Sequence, residues 1–270
     1  MDLELSGRRA LITGGSRGIG LAIAHALGAE GVAVALCGRG QESLDRAVAE
    51  LGAAGVTAMG VVADVTVPDQ LATAVDRAAE DLGGLDLLVA NAGGVVGGGL
   101  LDSTPQDWEQ TYALNVLHAA HAVRSAVPHL RRSDAAAVVL VSSISGRTPG
   151  SRTSYASAKA AETFLAAALA QELAEYAIRV NAVSPGSTLF EGGGWDEYRL
   201  NRPAAFDAFA NDEFPARRLV EVREVADVVC FVLSPRGSGI NGAEIPVDGG
   251  QIQPGPGRSW PRLSQPPTDR

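Results

Sequence analysis

The chain of 270 residues is long enough for one well-buried domain and short for two. Its hydrophobic content of 46% with only 5% aromatics describes a core of Ala, Val, Leu and Ile, and its net charge of -9 excludes the basic footprint that a nucleic-acid or anionic-membrane partner requires. Residues 1–9 carry no apolar signal segment and no apolar run of about 18 residues occurs, so a cytoplasmic protein is expected.

In chain order, residues 10–13 read as a short apolar strand, followed by a glycine turn and a helix over 19–29 with Leu21, Ala24, Ala26 and Leu27 on its apolar side. Strands at 32–37, 57–63 and 85–90 alternate with helices at 42–53 and 68–82, each bounded by Gly, Pro or Asp. A long helix is predicted over 105–131, a strand over 136–142, a helix over 153–176 and a strand over 178–184. A helix at 222–233 and a strand at 243–247 close the pattern. Strands apolar throughout and alternating with helices imply an α/β fold with a doubly wound parallel sheet covered on both faces. One domain is expected over 1–250, followed by a tail rich in Pro, Gly and Ser over 251–270. Cys37 and Cys230 sit in apolar runs and read as small core residues.

Ligands of such sheets bind beyond the carboxyl ends of the strands, where the glycines of this chain collect. Thr13-Gly14-Gly15-Ser16-Arg17-Gly18-Ile19-Gly20 joins the first strand to the first helix. Glycines there let the backbone approach a pyrophosphate, and the helix N-terminus offers free N–H groups. A chain that reads the ribose hydroxyls of NAD usually places an acid at the end of the second strand. This one has Cys37-Gly38-Arg39 instead, so Arg39 and Arg17 are candidates for a 2′-phosphate, which points to NADP(H) over NAD(H).

Tyr155 and Lys159 lie one turn apart on the predicted helix, so phenol and ammonium address one volume. The ammonium favours phenolate and brings the phenol toward proton exchange with a carbonyl oxygen. Lys159 is the only lysine of the chain. Where arginine serves everywhere else, a compact ammonium is a specific choice. An ordinary surface pair would give the same spacing. His25, His118, His121 and His129 fall within helices without an acid or cysteine cluster at metal spacing, and no metal is implied.

Together these residues make the chain resemble the short-chain dehydrogenase/reductase family in its compact single-domain, Rossmann-type form. The resemblance covers essentially residues 5–250. The turn at 13–20 looks like the family's cofactor motif, to which Gly14, Ser16, Arg17, Gly18, Ile19 and Gly20 belong. Asp64-Val65 looks like the acid that meets the adenine, Asn91-Ala92-Gly93 like its Asn-Ala-Gly strand end, and Asp248-Gly249-Gly250 like its closing motif. Pro185-Gly186 is similar to the pair flanking the nicotinamide, with Thr188 just beyond. The resemblance implies that Ser143 hydrogen-bonds the substrate oxygen, that Tyr155 exchanges the proton, and that Lys159 lowers its pKa and holds the nicotinamide ribose. Asn115 would anchor a water linking Lys159 to solvent. Ser142, Ser143 and Ser145 all precede the tyrosine; the Ser-x-x-Gly pattern selects Ser143, leaving the loop to Tyr155 one residue shorter than is common. A homotetramer or homodimer is implied as well.

The function expected is therefore an NADP(H)-dependent oxidoreductase for a ketone or secondary alcohol. An NAD(H)-dependent relative and a silent dinucleotide-binding sensor are the alternatives, and a sensor has no need of the proton relay. A sugar-nucleotide epimerase would need a larger C-terminal domain. Residues 187–218 hold Phe190, Trp195, Tyr198, Phe206, Phe209 and Phe214, six of 13 aromatics. They read either as a lid over an apolar or aromatic substrate or as anchors of two short helices. Gly97-Gly98-Gly99 and Gly192-Gly193-Gly194 read as hinges or as plain turns.

Overall fold

A computed structural model describes residues 1–148 and 152–252. Strand β1 (Arg9–Thr13) leads into helix α1 (Gly18–Ala29), followed by β2 (Ala33–Gly38), α2 (Gln41–Ala53), β3 (Ala58–Val62), α3 (Pro68–Asp81) and β4 (Leu87–Ala90). Beyond them come α4 (Pro105–Tyr112), α5 (His118–Leu130), β5 (Ala137–Val141), α6 (Thr153–Glu172) and β6 (Arg179–Pro185). The last third holds β7 (Thr188–Leu189), α7 (Gly194–Asn201), α8 (Pro203–Glu213), β8 (Val220–Glu221), α9 (Val222–Leu233) and β9 (Glu244–Val247).

Seven strands form one parallel sheet in the order β3-β2-β1-β4-β5-β6-β9. The order reverses between β1 and β4, and Thr13 stands level with both Cys37 and Ala90, so three strands end side by side at the crevice where such sheets bind ligands. Alternation along β1 sends Ala10 and Ile12 into a core beneath α1, α2 and α9, and Leu11 into a second core beneath α3, α5 and α6. With both faces covered, the strands have no polar side, which is why they read as continuous apolar runs.

The doubly wound α/β reading holds, with strand and helix ends displaced by a residue or two. The long helix predicted over 105–131 departs from expectation: it is interrupted by a π turn, Ala113–Leu117, between α4 and α5. The hydrophobic pattern runs through this turn unbroken, so periodicity could not reveal it. The helix predicted to reach 176 ends at Glu172, where a short 3₁₀ turn and Ala177, left-handed at φ 57°, lead into β6. At the opposite end of the sheet the Arg179 guanidinium donates to the carbonyls of Val232, Leu233, Ser234, Gly237 and Ile240, closing the C-terminus of α9. The tail lies outside the described residues beyond Ile252, as does the 149–151 stretch of the loop before Tyr155. No helix among the described residues is long and apolar enough to cross a membrane.

Candidate active site

The glycine turn is pinned to the neighbouring strand end. Asn91 Nδ2 donates to the carbonyls of Thr13 and Gly14, and the N–H groups of Asn91 and Ala92 both donate to Thr13 Oγ1. That hydroxyl in turn lies 3.0 Å from His118 Nε2, while His118 Nδ1 lies 2.9 Å from the Leu114 carbonyl. A carbonyl can only accept, so Nδ1 carries the proton and Nε2 accepts from Thr13. Burial, with the Lys159 charge adding to it, pushes the His118 imidazole down to about 4, so it is neutral. A Cβ at Gly20 would stand 2.3 Å from the Gly14 carbonyl oxygen, so the turn closes this tightly only with glycine there. Arg17 is the extended N-cap of α1 without a side-chain cap bond, and no acid occupies the first turn. The turn thus presents open N–H groups and a favourable dipole to an anion.

Beyond the end of β2, Gly38 leaves a cradle. A Cβ there would have Leu44 at 3.5 Å and Ser16 Oγ at 3.7 Å as its nearest neighbours, and Arg17 and Arg39, next in sequence to Ser16 and Gly38, are exposed. Asp64 accepts from both the N–H and the hydroxyl of Thr66; these bonds, with the nearby Arg39 charge, hold its carboxyl below the ordinary range. Val65 beside it is buried. The residues present therefore fit an adenosine 2′-phosphate between Ser16 and the two guanidinium groups. They also fit a pyrophosphate against residues 14–20. Cys37 is sealed in the sheet with its thiol pushed up to about 12 by burial.

At the other end of the crevice the structure separates the serines. Ser142 is buried, its hydroxyl donating to the Lys159 carbonyl and meeting Thr163 Oγ1. Ser143 is partly exposed at the start of a 3₁₀ turn, where its hydroxyl accepts only the Ser145 N–H. Tyr155 is partly exposed on α6, with Lys159 Nζ 5.8 Å from its ring centre. Lys159 is buried and donates to the Val141 carbonyl at 2.9 Å and to Glu162 at 2.7 Å. Burial works against its charge, but Glu162 and Tyr155 outweigh it and hold the ammonium above its ordinary value. Asn115 lies within the π turn. Its Nδ2 donates to the carbonyls of Gly94 and Thr111, and its Oδ1 accepts the Gly94 N–H. A Cβ at Gly93 would stand 2.9 Å from Asn115 Oδ1 and 3.2 Å from Lys159 Nζ, so glycine is what lets these groups close on the end of β4. Tyr155, Lys159, Asn115 and the Asn91-Ala92-Gly93 strand end thus share one corner with Ser143 at its side.

Pro185 ends β6, and Gly186 packs so closely on Asp248 that a Cβ would lie 2.8 Å from its Cα. Thr188 is buried and its hydroxyl donates to the Gly186 carbonyl. Phe190, two residues on, lies against the glycine turn, its ring 3.0 Å from where a Gly18 Cβ would be. The other lid aromatics pack on one another. Trp195 stacks on Phe209 at 4.5 Å, Tyr198 and Phe214 meet them edge-on, and Phe206 and Phe214 are buried in the α1/α9 core. This arrangement is that of anchors for α7 and α8. Composition placed the aromatics in the segment, but it could not say which way they face.

Sequence reasoning assigned no role to His118 or Glu162. His118 lies three residues after Asn115 and Glu162 three after Lys159, so helical spacing carried that signal unused. Among the described residues, no three His, Cys, Asp or Glu side chains are grouped to hold a metal ion.

Residues 8–192 match the family described as short chain dehydrogenase. Isoepoxydon dehydrogenase patN of Penicillium expansum is 33% identical over 253 residues, covering 91% of this chain and 95% of its own. L-sorbose reductase from Gluconobacter frateurii, solved with NADPH and L-sorbose, superposes with a TM-score of 0.88 at 30% identity, over 94% of this chain and 99% of its own. A 7α-hydroxysteroid dehydrogenase complexed with NADH and 7-oxo glycochenodeoxycholic acid superposes with a TM-score of 0.86 at 30% identity, over 93% and 97%. The chain belongs to the short-chain dehydrogenase/reductase family of oxidoreductases, whose neighbours in structure hold nicotinamide cofactors.

Proposed function

We propose that the protein is an NADP(H)-dependent oxidoreductase interconverting a ketone and a secondary alcohol. The observation that carries this is the corner where the Tyr155 ring, the buried Lys159 ammonium and the partly exposed Ser143 stand over the carboxyl ends of β4 and β5. The cofactor supplies or takes the hydride. In the reducing direction Ser143 donates a hydrogen bond to the carbonyl oxygen, and Tyr155 passes its phenolic proton to that oxygen as the carbon is reduced. Lys159 stabilises the phenolate left behind, and Asn115 holds the adjoining strand end through Gly94. The pyrophosphate would rest on Gly14, Ser16, Gly18, Ile19 and Gly20, the adenine beside Asp64 and Val65, and the nicotinamide between Ala92, Gly93, Pro185 and Gly186. Thr188 would contribute packing.

The preference for NADP(H) is supported by the cradle at Gly38 and Ser16 between Arg17 and Arg39. An apolar or aromatic substrate is supported by Leu100 and Leu101, 64% and 95% exposed on the loop that follows the Asn91-Ala92-Gly93 strand end. Leu117 at the end of the π turn and Phe164 on α6, 49% and 76% exposed, support a homo-oligomer. The test is consumption of NADPH and of NADH over ketones graded in size and polarity, with Tyr155→Phe as control. Removing the phenolic proton should lower turnover by about a hundredfold or more while cofactor affinity holds. Unchanged turnover in Tyr155→Phe would dismiss the assigned acid.

A further inference from the structure

The inward face of α6 consists of Ser154, Ala158, Lys159, Glu162, Ala166 and Ala170. Among small residues this face carries one charge pair, Lys159 and Glu162, 2% and 0% exposed and 2.7 Å apart. Withdrawing two charges from water is costly, and a packed apolar pair is commonly as stable or more so. Packing alone therefore gives no reason for the glutamate.

The geometry around the ammonium supplies one. An ammonium has three donors. Two are taken, by the Val141 carbonyl at the end of β5 and by Glu162 Oε2, and Nζ is held on the side of Gly93 and Asn115. The other carboxylate oxygen, Oε1, is buried with no hydrogen-bond partner. Burial pushes the Glu162 carboxyl above the ordinary carboxylate range, and the Lys159 charge and hydrogen bond are what oppose that push, so the two groups act chiefly on each other. Tyr155 on the same helix is coupled to Lys159, and His118, from the helix across the π turn, also feels this charge but is itself neutral. Glu244 of β9 is occupied by Ser184 and lies 3.6 Å from Arg147.

We infer that Glu162 is a positioning residue that draws the Lys159 ammonium against β5 and offsets part of its charge, weakening its pull on the Tyr155 phenol. This rests on the proton-transfer reading of Tyr155 and Lys159 given above. With the lysine acting alone, the phenol would be drawn toward phenolate, the form that accepts a proton from an alcohol. With the carboxylate beside the ammonium, that pull on the phenol is weaker, which favours the form that gives a proton to a carbonyl oxygen. The pair biases the site toward ketone reduction.

Glu162→Gln keeps the shape and a hydrogen-bond acceptor for Nζ and removes the negative charge. In alcohol oxidation with NADP⁺, the acid limb of kcat/KM should move down by about one pH unit, the scale set by one charge near a titrating group. The phenolate absorbance of Tyr155, isolated from the other three tyrosines by difference against Tyr155→Phe, should move with it. A limb that stays in place while kcat or thermal stability falls would make Glu162 a structural residue only and overturn the inference. Should the glutamine variant not fold, Glu162→Leu, which removes the charge without leaving a buried polar group, decides by the same readout: a downward move of the limb supports the inference and an unmoved limb overturns it. Tyr155→Phe run in parallel separates the two readings. If that variant is inactive and Glu162→Gln shifts nothing, the inference alone falls; if it retains full turnover, both fall.

Discussion

Introducing a carboxylate at Gly38 should reverse the proposed preference for NADP(H). The position accepts a side chain, because an added Cβ meets only ordinary van der Waals neighbours and the backbone lies outside the left-handed region. In Gly38→Asp the carboxylate would stand beside Ser16, where the 2′-phosphate is proposed to lie. One unit charge about 5 Å from another at an effective dielectric of about 20 is worth about 3 kcal/mol, and the phosphate carries more than one. The same carboxylate can accept hydrogen bonds from the free ribose hydroxyls of NADH. The ratio of kcat/KM for NADPH to that for NADH should therefore fall by about a hundredfold or more, at about 1.4 kcal/mol per factor of ten. Arg39→Ala should lower the NADPH value by about tenfold, as the loss of one charge-assisted contact implies, and leave NADH nearly unchanged. Both effects should shrink with added salt, because the groups are exposed. Initial rates with one ketone and each cofactor provide the assay. Equal losses for both cofactors in both variants would refute the placement of the phosphate between Gly38 and Arg39.

Acid should destabilise the fold through His118. The unfolded chain takes up a proton near 6.5 that the buried imidazole refuses until about pH 4. Stability is therefore unaffected above that window and falls by about 3 kcal/mol as pH drops through it. Urea unfolding across this range should show that loss in the wild-type protein beyond that of His118→Gln, and parallel curves would refute it. Arg179→Met leaves the last carbonyls of α9 without their donor and should cost about 3 kcal/mol or more. An unchanged Tm would show that water replaces the guanidinium freely.

What could be read from the chain beforehand follows from where information is local. The strands were legible because burial on both faces demands uninterrupted Val, Leu, Ile and Ala, and the turns because glycine is needed where Gly20 meets the Gly14 carbonyl. Tyr155 and Lys159 were legible because one helix carries both. The π turn was invisible because it costs no change in the apolar pattern, yet it is what lets Asn115 and His118 reach two different strand ends. Thr188 read as a ligand contact from its place after Gly186; the local bond of its hydroxyl to the Gly186 carbonyl, two residues back, is a detail that sequence spacing does not announce. For the aromatics of 187–218, composition located them and left lid and anchor both open, while the stacking of Trp195 on Phe209 depends on how α7 folds back on α8.

The solitary lysine has a practical consequence. Apart from the chain's α-amino group, the only primary amine is the ammonium enclosed between β5 and Glu162, 2% exposed. Amine-directed crosslinkers therefore have almost nothing to join between copies, and an acylating reagent in solution would mark the N-terminus at once. Any second acyl group could be added only during an excursion that frees Lys159 from its enclosure. The slow arrival of that second mass increment would serve as a clock for the opening of this corner of the molecule.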